Sequence, residues 1–455
     1  MAGLNKVLVA NRGEIALRIV RACRRQGIAT VAVYSDADES SQHVWLADEA
    51  VRIGPPPATA SYLKPEVLLH VAQSTGCDGI HPGYGFLSER ASFAAACEKE
   101  GVRFIGPGAE QIRLMGDKAE ARRTAIRLGV PVVPGSEDTC ADADAALAAA
   151  RKIGFPVLMK ARAGGGGRGM RVAQTAESLP ALFTQARNEA EAAFGDGGLY
   201  LERYFANVRH IEVQVLGDSH GNARHVWERD CSTQRRHQKL VEEAPSPVLD
   251  AATRLKMCEA AEELTRGIGY VGAGTVEFLY DPSSDEFFFI EMNTRIQVEH
   301  PVTESIVGID LVAEQLRIAA GEPMSIAAGT PPASGHAIEF RINAEDPDKD
   351  FRPSPGRIRR WRPPAMEGVR FDSHAYEGYF VPPYYDSLLG KLIVTGTDRM
   401  DAVERAKIAL STFEVEGVAT TIPFHLRLLD HPDFVASRVH TRWVESGALN
   451  AGEQP

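Results

Sequence analysis

The chain has 455 residues, with Lys+Arg 50 against Asp+Glu 61, a formal net charge of −11. That acidic balance excludes nucleic acid or an anionic membrane as a partner held by general surface charge, and 44% hydrophobic residues exclude disorder for the bulk of the chain. At roughly 150 residues per domain, about three domains are expected. No apolar stretch reaches the roughly 18 residues of a membrane span, and residues 7–10 are too short an apolar run for a signal-peptide core. The expectation is a soluble, cytoplasmic protein. Cys23, Cys77, Cys97, Cys140, Cys231 and Cys258 are scattered without a CxxC pair, so reduced thiols, buried by packing, are expected.

Residues 6–10 read as an apolar strand, and Ile15, Ile19, Val20 and Cys23 form the stripe of a helix ending near Gly27. Further strands over 30–34, 78–81 and 102–105, with helical spans between them, predict a parallel, doubly wound sheet. After the first strand, Asn11-Arg12-Gly13-Glu14 stands where a dinucleotide-binding unit would carry G-x-G-x-x-G, so dinucleotide binding is disfavoured. A helix is predicted over 114–127. An extended linker follows over 130–135, where Pro131 and Pro134 forbid helix, and marks a domain boundary.

A small α+β module comes next: a helix over 141–153, a strand over 157–160, a glycine run, a strand over 170–172 and a helix over 176–193. Strand-length segments at 199–202, 211–217, 223–229, 276–280 and 287–291 predict an antiparallel sheet, with a helix over 251–267 against it. The last third adds strands at 336–343 and 388–395 and a helix over 399–413. No internal repeat or low-complexity tract is present.

Gly164-Gly165-Gly166-Gly167-Arg168-Gly169 lies between two strands, either as a backbone cradle for nucleotide phosphates or as a plain mobile turn; no GK[ST] makes it a P-loop. Lys160 and Lys118 are within reach of a phosphate there, and alone would be ordinary surface lysines. In 287–300, Glu291, Asn293, Arg295, Gln297 and Glu299 recur every second residue, so an extended segment projects all five from one face, with Ile290, Met292, Ile296 and Val298 opposite. The apolar Phe287-Phe288-Phe289-Ile290 upstream argues that this face lines a cleft rather than a half-exposed strand. Glu277 interrupts another apolar strand, and Glu277 with Glu291 suits either Mg²⁺ ligation or a buried salt bridge to lysine. Gln234-Arg235-Arg236-His237-Gln238-Lys239 is a basic cluster, either a solvated face or, with Arg295 and Arg341, a holder of planar oxyanions. The segment 81–89 follows a strand end, where α/β sheets place ligands, or is a tight turn.

Taken together, Ala10-Asn11-Arg12-Gly13-Glu14-Ile15-Ala16, the segment 81–89, Arg113-Leu114-Met115-Gly116-Asp117-Lys118, residues 165–170, Arg229-Asp230-Cys231-Ser232, 234–239 with Glu242-Glu243-Ala244-Pro245, and 291–303 closely resemble the biotin carboxylases. These are ATP-grasp ligases, found as subunits or domains of acetyl-CoA, propionyl-CoA and pyruvate carboxylases. The resemblance implies a Rossmann-like N-terminal domain over 1–115, an ATP-grasp region over 116–320 with a mobile lid at about 136–204, and a C-terminal biotin carboxylase domain over 333–445. It implies that ATP meets Lys118, Lys160, Gly166, Gly167, the Glu202-Arg203-Tyr204-Phe205 segment, His210, Gln234 and His237, with Glu277 and Glu291 beside it. Mg²⁺ or Mn²⁺ is implied on Glu277, Glu291 and Asn293. Bicarbonate is implied on Lys239, Arg295, Gln297 and the Val298 backbone, with Arg341 and Tyr84 toward biotin. Glu299 matches the family's general base, which deprotonates bicarbonate for attack on the γ-phosphate; the carboxyphosphate breaks down, and Arg341 stabilises the biotin enolate that captures CO2.

Two departures stand out. Arg162 occupies a position where the family commonly has a small residue, and Arg25 stands where some members carry an acid on the dimer-forming helix that Arg18, Arg21 and Arg25 otherwise resemble. A homodimer is expected. No biotin-accepting Met-Lys-Met occurs, so the carrier protein and the carboxyltransferase are expected as separate partners. The alternatives are an ATP-grasp ligase activating another carboxylate and a non-catalytic nucleotide-binding regulatory subunit. The second requires a broken site, whereas the candidate base, arginines and metal ligands are all present.

Overall fold

The computed structural model describes residues 3–136, 138–161, 170–447 and 449. The glycine run and Arg162 therefore lie outside the described residues. Five parallel strands, Lys6–Val9, Ala29–Ser35, Glu49–Gly54, Gly79–His81 and Arg103–Phe104, form the first sheet, with Lys6–Val9 central between Ala29–Ser35 and Gly79–His81. This is the doubly wound sheet predicted, plus an edge strand, Glu49–Gly54, in which only Ile53 is buried and the apolar signal is weak. The strand order reverses beside Lys6–Val9, so the loops after it and after Gly79–His81 part and leave a crevice. Asn11 Nδ2 ties these loops together by donating to the carbonyls of Pro82 and Tyr84, at 2.7 Å each.

The helix predicted over 114–127 is two helices, Ala109–Gly116 and Lys118–Arg127. Asp117 breaks it: its backbone is extended and its carboxylate accepts the N–H groups of Ala119 and Glu120 at 2.9 and 3.0 Å, an N-cap at which a new helix starts. The α+β module is a three-stranded antiparallel sheet, Arg171–Ala173, Val157–Ala161 and Leu199–Arg203, packed on the helices Ala143–Ile153 and Leu179–Phe194. Leu199–Arg203 thus leaves the large sheet to which its pattern assigned it, because Leu199 and Leu201 bury against the small residues Ala146, Ala150, Ala186 and Ala190.

The large sheet is continuous through eight antiparallel strands: Glu286–Asn293, Gly272–Asp281, Arg209–Gly217, Ala223–Arg235, Gln238–Ala244, His336–Asn343, Leu388–Gly396 and Val369–Ser373. The strands of the last third are therefore a direct extension of the central ones. Ala251–Gly267 packs beside Arg209–Gly217 and Ala223–Arg235. Ile338, Phe340 and Ile342 face the helix Arg399–Thr412, which leaves Ala337, Glu339 and Arg341 on the opposite side, under the helix His300–Val307. The basic cluster is a β-hairpin: Arg236 and His237 both take positive φ, 49° and 64°, in a two-residue turn closed by Arg235 opposite Gln238. Five cysteines are buried, Cys140 is half-buried, and all six are free thiols. Among the described residues, no helix is long and apolar enough to cross a membrane.

Candidate active site

A cavity of about 1130 Å³ opens where the large sheet meets the loop after Gly79–His81 and the three-stranded module. The segment 291–299 supplies its floor, though not as one extended strand. Glu286–Asn293 ends at Asn293, and a bulge at Ile290, between the pairs Glu277–Glu291 and Phe278–Phe289, turns an extra residue into the cavity. The chain then bends before His300–Val307. All five alternating polar residues reach the cavity, but so do Ile290 and Val298, which the alternation set on the other face; Met292 and Ile296 are buried as expected.

Glu299 is the centre of this floor. It is buried, with Oε1 accepting from Lys239 Nζ at 2.6 Å and Oε2 from Arg341 Nη2 at 2.9 Å. Lys239 also donates to Glu212 Oε2 at 2.5 Å and approaches Glu277 Oε1 at 3.4 Å. Arg341 Nε donates to Glu242 Oε1 at 2.7 Å. Behind them Arg229, fully buried, donates to Glu212 at 2.7 Å, Gln214 at 2.8 Å, Gln297 at 2.9 Å, Thr303 at 3.0 Å and Thr275 at 3.2 Å. One guanidinium fork therefore fixes Glu212 and Gln297 at once.

The charges hold one another in place. Burial opposes the Lys239 ammonium, but Glu212 and Glu299 raise its pKa well above the ordinary value. Burial likewise opposes the Glu212 carboxylate, while Lys239 and Arg229 keep it ionised. His210 Nε2 lies 3.1 Å from Glu277 Oε2, and despite burial Glu277 and Glu212 lift the imidazole to about 9. Glu277 is held well below the usual carboxylate range, against burial, by Lys239 and His210.

Glu277 and Glu291 stand directly opposite each other on paired strands, which puts both carboxylates on one face. Asn293 Nδ2 and Gln297 Nε2 donate to Glu277 Oε1 at 2.8 and 2.9 Å, while Glu291 is more open and faces exposed Lys118 at 3.3 Å. Two carboxylates with an amide oxygen are a hard donor set and fit Mg²⁺ or Mn²⁺. His210 and Glu212 lie close enough to Glu277 to join that cluster.

Tyr84, Lys118, Tyr204, His210, Gln234, His237, Arg295 and Arg341 also line the cavity. Arg295 is braced by Glu89 at 2.9 Å and Asn293 at 3.1 Å. Four predicted residues stand off its lining: Lys160 pairs with Glu202, Arg203 reaches Glu286 at 3.1 Å, and Phe205 packs on Phe288 with centroids 5.2 Å apart. The basic cluster divides, since Arg235 and Arg236 turn to Asp350 while Gln234, His237, Gln238 and Lys239 face inward. Sequence reasoning gave no role to Glu212, Glu242, Lys391 or Glu14. Lys391, fully buried, donates to the Val298 carbonyl at 2.8 Å and pairs with Glu14 at 3.1 Å, and Glu14 accepts from the Tyr84 hydroxyl. Glu212 and Lys391 are single charges interrupting apolar strands, the same signal that singled out Glu277, whereas Glu242 stands beside Glu243 and Glu14 at a helix start.

A doubly wound N-terminal sheet, a small three-stranded α+β module and a carboxylate- and lysine-lined cleft on an antiparallel sheet make up an ATP-grasp ligase architecture. Family models described as "Biotin carboxylase, N-terminal domain", "Carbamoyl-phosphate synthase L chain, ATP binding domain" and "Biotin carboxylase C-terminal domain" match residues 3–112, 117–327 and 339–446. Biotin carboxylase 1 of Bacillus subtilis is 52% identical over 443 residues, 97% of this chain and 98% of that one. The biotin carboxylase domain of a thermophilic 2-oxoglutarate carboxylase bound to bicarbonate superposes with a TM-score of 0.94 at 46% identity, covering 99% of this chain and 100% of that one. The corresponding domain dimer from Hydrogenobacter thermophilus, in complex with MgADP, ADP and bicarbonate, gives 0.88 at 47% identity with 100% of both chains covered. The chain belongs to the biotin carboxylase family.

Proposed function

We propose that this chain carboxylates biotin on a separate carrier protein, using ATP and bicarbonate and passing through carboxyphosphate, as the first half-reaction of a biotin-dependent carboxylase. The observation that carries this reading is Glu299, a buried carboxylate on the cavity floor with Lys239 on one oxygen and Arg341 on the other. A base flanked by two cations suits an acidic anion as its substrate, because the cations hold the charge that the base creates. Lys239, Arg295, Gln297 and the Val298 backbone N–H hold bicarbonate, and Glu299 takes its proton. The freed oxygen attacks the γ-phosphate, ADP leaves, and carboxyphosphate forms.

Lys118, His210 and His237 meet the phosphates from the cleft, and Lys160, Gly166 and Gly167 serve the same phosphates. The Glu202-Arg203-Tyr204-Phe205 segment and Gln234 serve the nucleotide. Glu277, Glu291 and Asn293 would hold Mg²⁺, which when bound would neutralise charge on the transferring phosphates. Carboxyphosphate breaks into CO2 and phosphate, the phosphate takes the ureido N–H proton, and the biotin nitrogen captures CO2 beside Arg341 and Tyr84. A closed lid keeps water from the labile intermediate. A homodimer, a biotinylated carrier and a carboxyltransferase complete the assembly in the cytoplasm. Support for the dimer comes from the domain dimer of the similar Hydrogenobacter structure. In this chain Arg21 is exposed for such a contact, whereas Arg18 is buried against Glu304 and Asp310, and Arg25 reaches Asp310, all within one chain.

Glu299→Gln tests the reading. It should bind MgATP as the wild type does and lose bicarbonate-dependent phosphate release by roughly 10²- to 10⁴-fold. Wild-type turnover in that variant would remove Glu299 from the role of base.

A further inference from the structure

Glu339, on His336–Asn343, is fully buried, and among the described residues neither of its carboxyl oxygens has a hydrogen-bond partner. Directly opposite it on Gln238–Ala244 stands Glu242, also fully buried. Glu242 Oε1 is taken by Arg341, at 2.7 Å from Nε and 2.6 Å from Nη2, and its Oε2 has no hydrogen-bond partner among the described residues. Opposed residues on antiparallel strands share a face, with Cβ atoms roughly 5 Å apart. Two carboxylates that close in a buried layer do not both ionise.

The groups around the pair leave it short of cations. Lys391, from Leu388–Gly396, stands opposite Arg341, but its ammonium is engaged by the Val298 carbonyl and Glu14. Lys239 is held by Glu212 and Glu299, and Glu299 takes the remaining side of Arg341. The helix His300–Val307 covers this layer with Val302 and Ile306, which pack with Ala244, Ala337 and Ile393. Burial accordingly drives Glu339 well above the usual carboxylate range, and Glu242 to about 7 against the pull of Arg341.

We propose that Glu242 and Glu339 are a proton-sharing pair of positioning residues behind Arg341, which together present one negative charge and so preserve the attraction of Arg341 for an anion in the cavity. With both ionised, Arg341 would face three carboxylate charges, those of Glu242, Glu299 and Glu339, in place of two, and its attraction for an incoming bicarbonate would be weaker. The inference rests on the proposed reading of Arg341 as an anion-facing arginine.

The first arm of the test needs no substrate. An infrared difference spectrum of wild type minus Glu339→Gln at pH 7 should show the C=O stretch of a protonated carboxyl, fading as pH rises; if Gln fails to fold at this position, Glu339→Met serves. Absence of the band overturns the pair. The second arm is the KM for bicarbonate of the purified chain with MgATP and biotin, taken as a variant to wild-type ratio at each pH so that titration of the substrates cancels. Wild-type KM should climb on the alkaline side while that of Glu339→Gln stays low, reaching about a tenfold difference one pH unit above the pair's titration. A ratio that does not change with pH overturns the link to Arg341. Turnover indifferent to bicarbonate in the wild type, with the band present, would instead sink the substrate reading and leave the pair standing.

Discussion

Arg229 shows how much one side chain holds in this molecule. Its donors reach Glu212, Gln214, Gln297, Thr275 and Thr303, so four segments of chain meet on one buried guanidinium. Arg229→Met should lower stability by about 3–5 kcal/mol, since it leaves buried Glu212 short of its partner; urea unfolding measures it. Arg229→Lys should recover little, because an ammonium cannot reproduce the fork. Unchanged stability in either variant would contradict this. At the residue scale the sequence displayed the charges but not their depth. Glu212 sits in an alternating strand, Glu242 beside Glu243 and Lys391 singly in an apolar run, and their depth is set by the covering helix His300–Val307 and the neighbouring strands.

At the scale of elements, Arg399 fastens the helix Arg399–Thr412 to the sheet. It grips Glu243 at 2.6 and 3.1 Å and the carbonyls of Phe434 and Val435 at 2.9 Å each, while His336 adds 3.1 Å to Glu243. Burial opposes the Glu243 charge, yet Arg399 and His336 hold its pKa down from 4.5 to about 2. A depressed carboxyl contributes stability that is complete above its unfolded pKa and is lost as pH falls from about 4.5 to about 2. Glu243→Gln should therefore cost about 3 kcal/mol at pH 7 and flatten the acid limb in that window, as followed by urea unfolding against pH. A variant whose stability still falls as steeply there would contradict it. Long periodic elements such as Ala251–Gly267 were legible because their period survives any context. The break at Asp117 and the bulge at Ile290 were not, because an aspartate within a helical pattern, or one extra residue within a strand, leaves the apolar count intact.

The whole molecule turns on a sheet that runs unbroken from Glu286–Asn293 to Val369–Ser373. Composition and period divided the chain into modules, but the direct pairing of Gln238–Ala244 with His336–Asn343 joins them, and that pairing brings Arg341 to Glu299. Lys391 and Glu14 complete the closure by linking the strand Leu388–Gly396, the N-terminal helix Gly13–Arg25 and the loop that carries Val298 and Glu299. The motifs quoted for the family resemblance pointed to this site because they hold the residues that converge on it; the scaffold charges between them emerge only from packing. The central claim is that the assembled cleft couples ATP cleavage to bicarbonate and biotin. The most direct test is phosphate release from MgATP by the purified chain, with and without bicarbonate and with and without biotin. The account predicts a rate that requires bicarbonate and rises with biotin; a rate indifferent to both, with MgATP still bound, would contradict it.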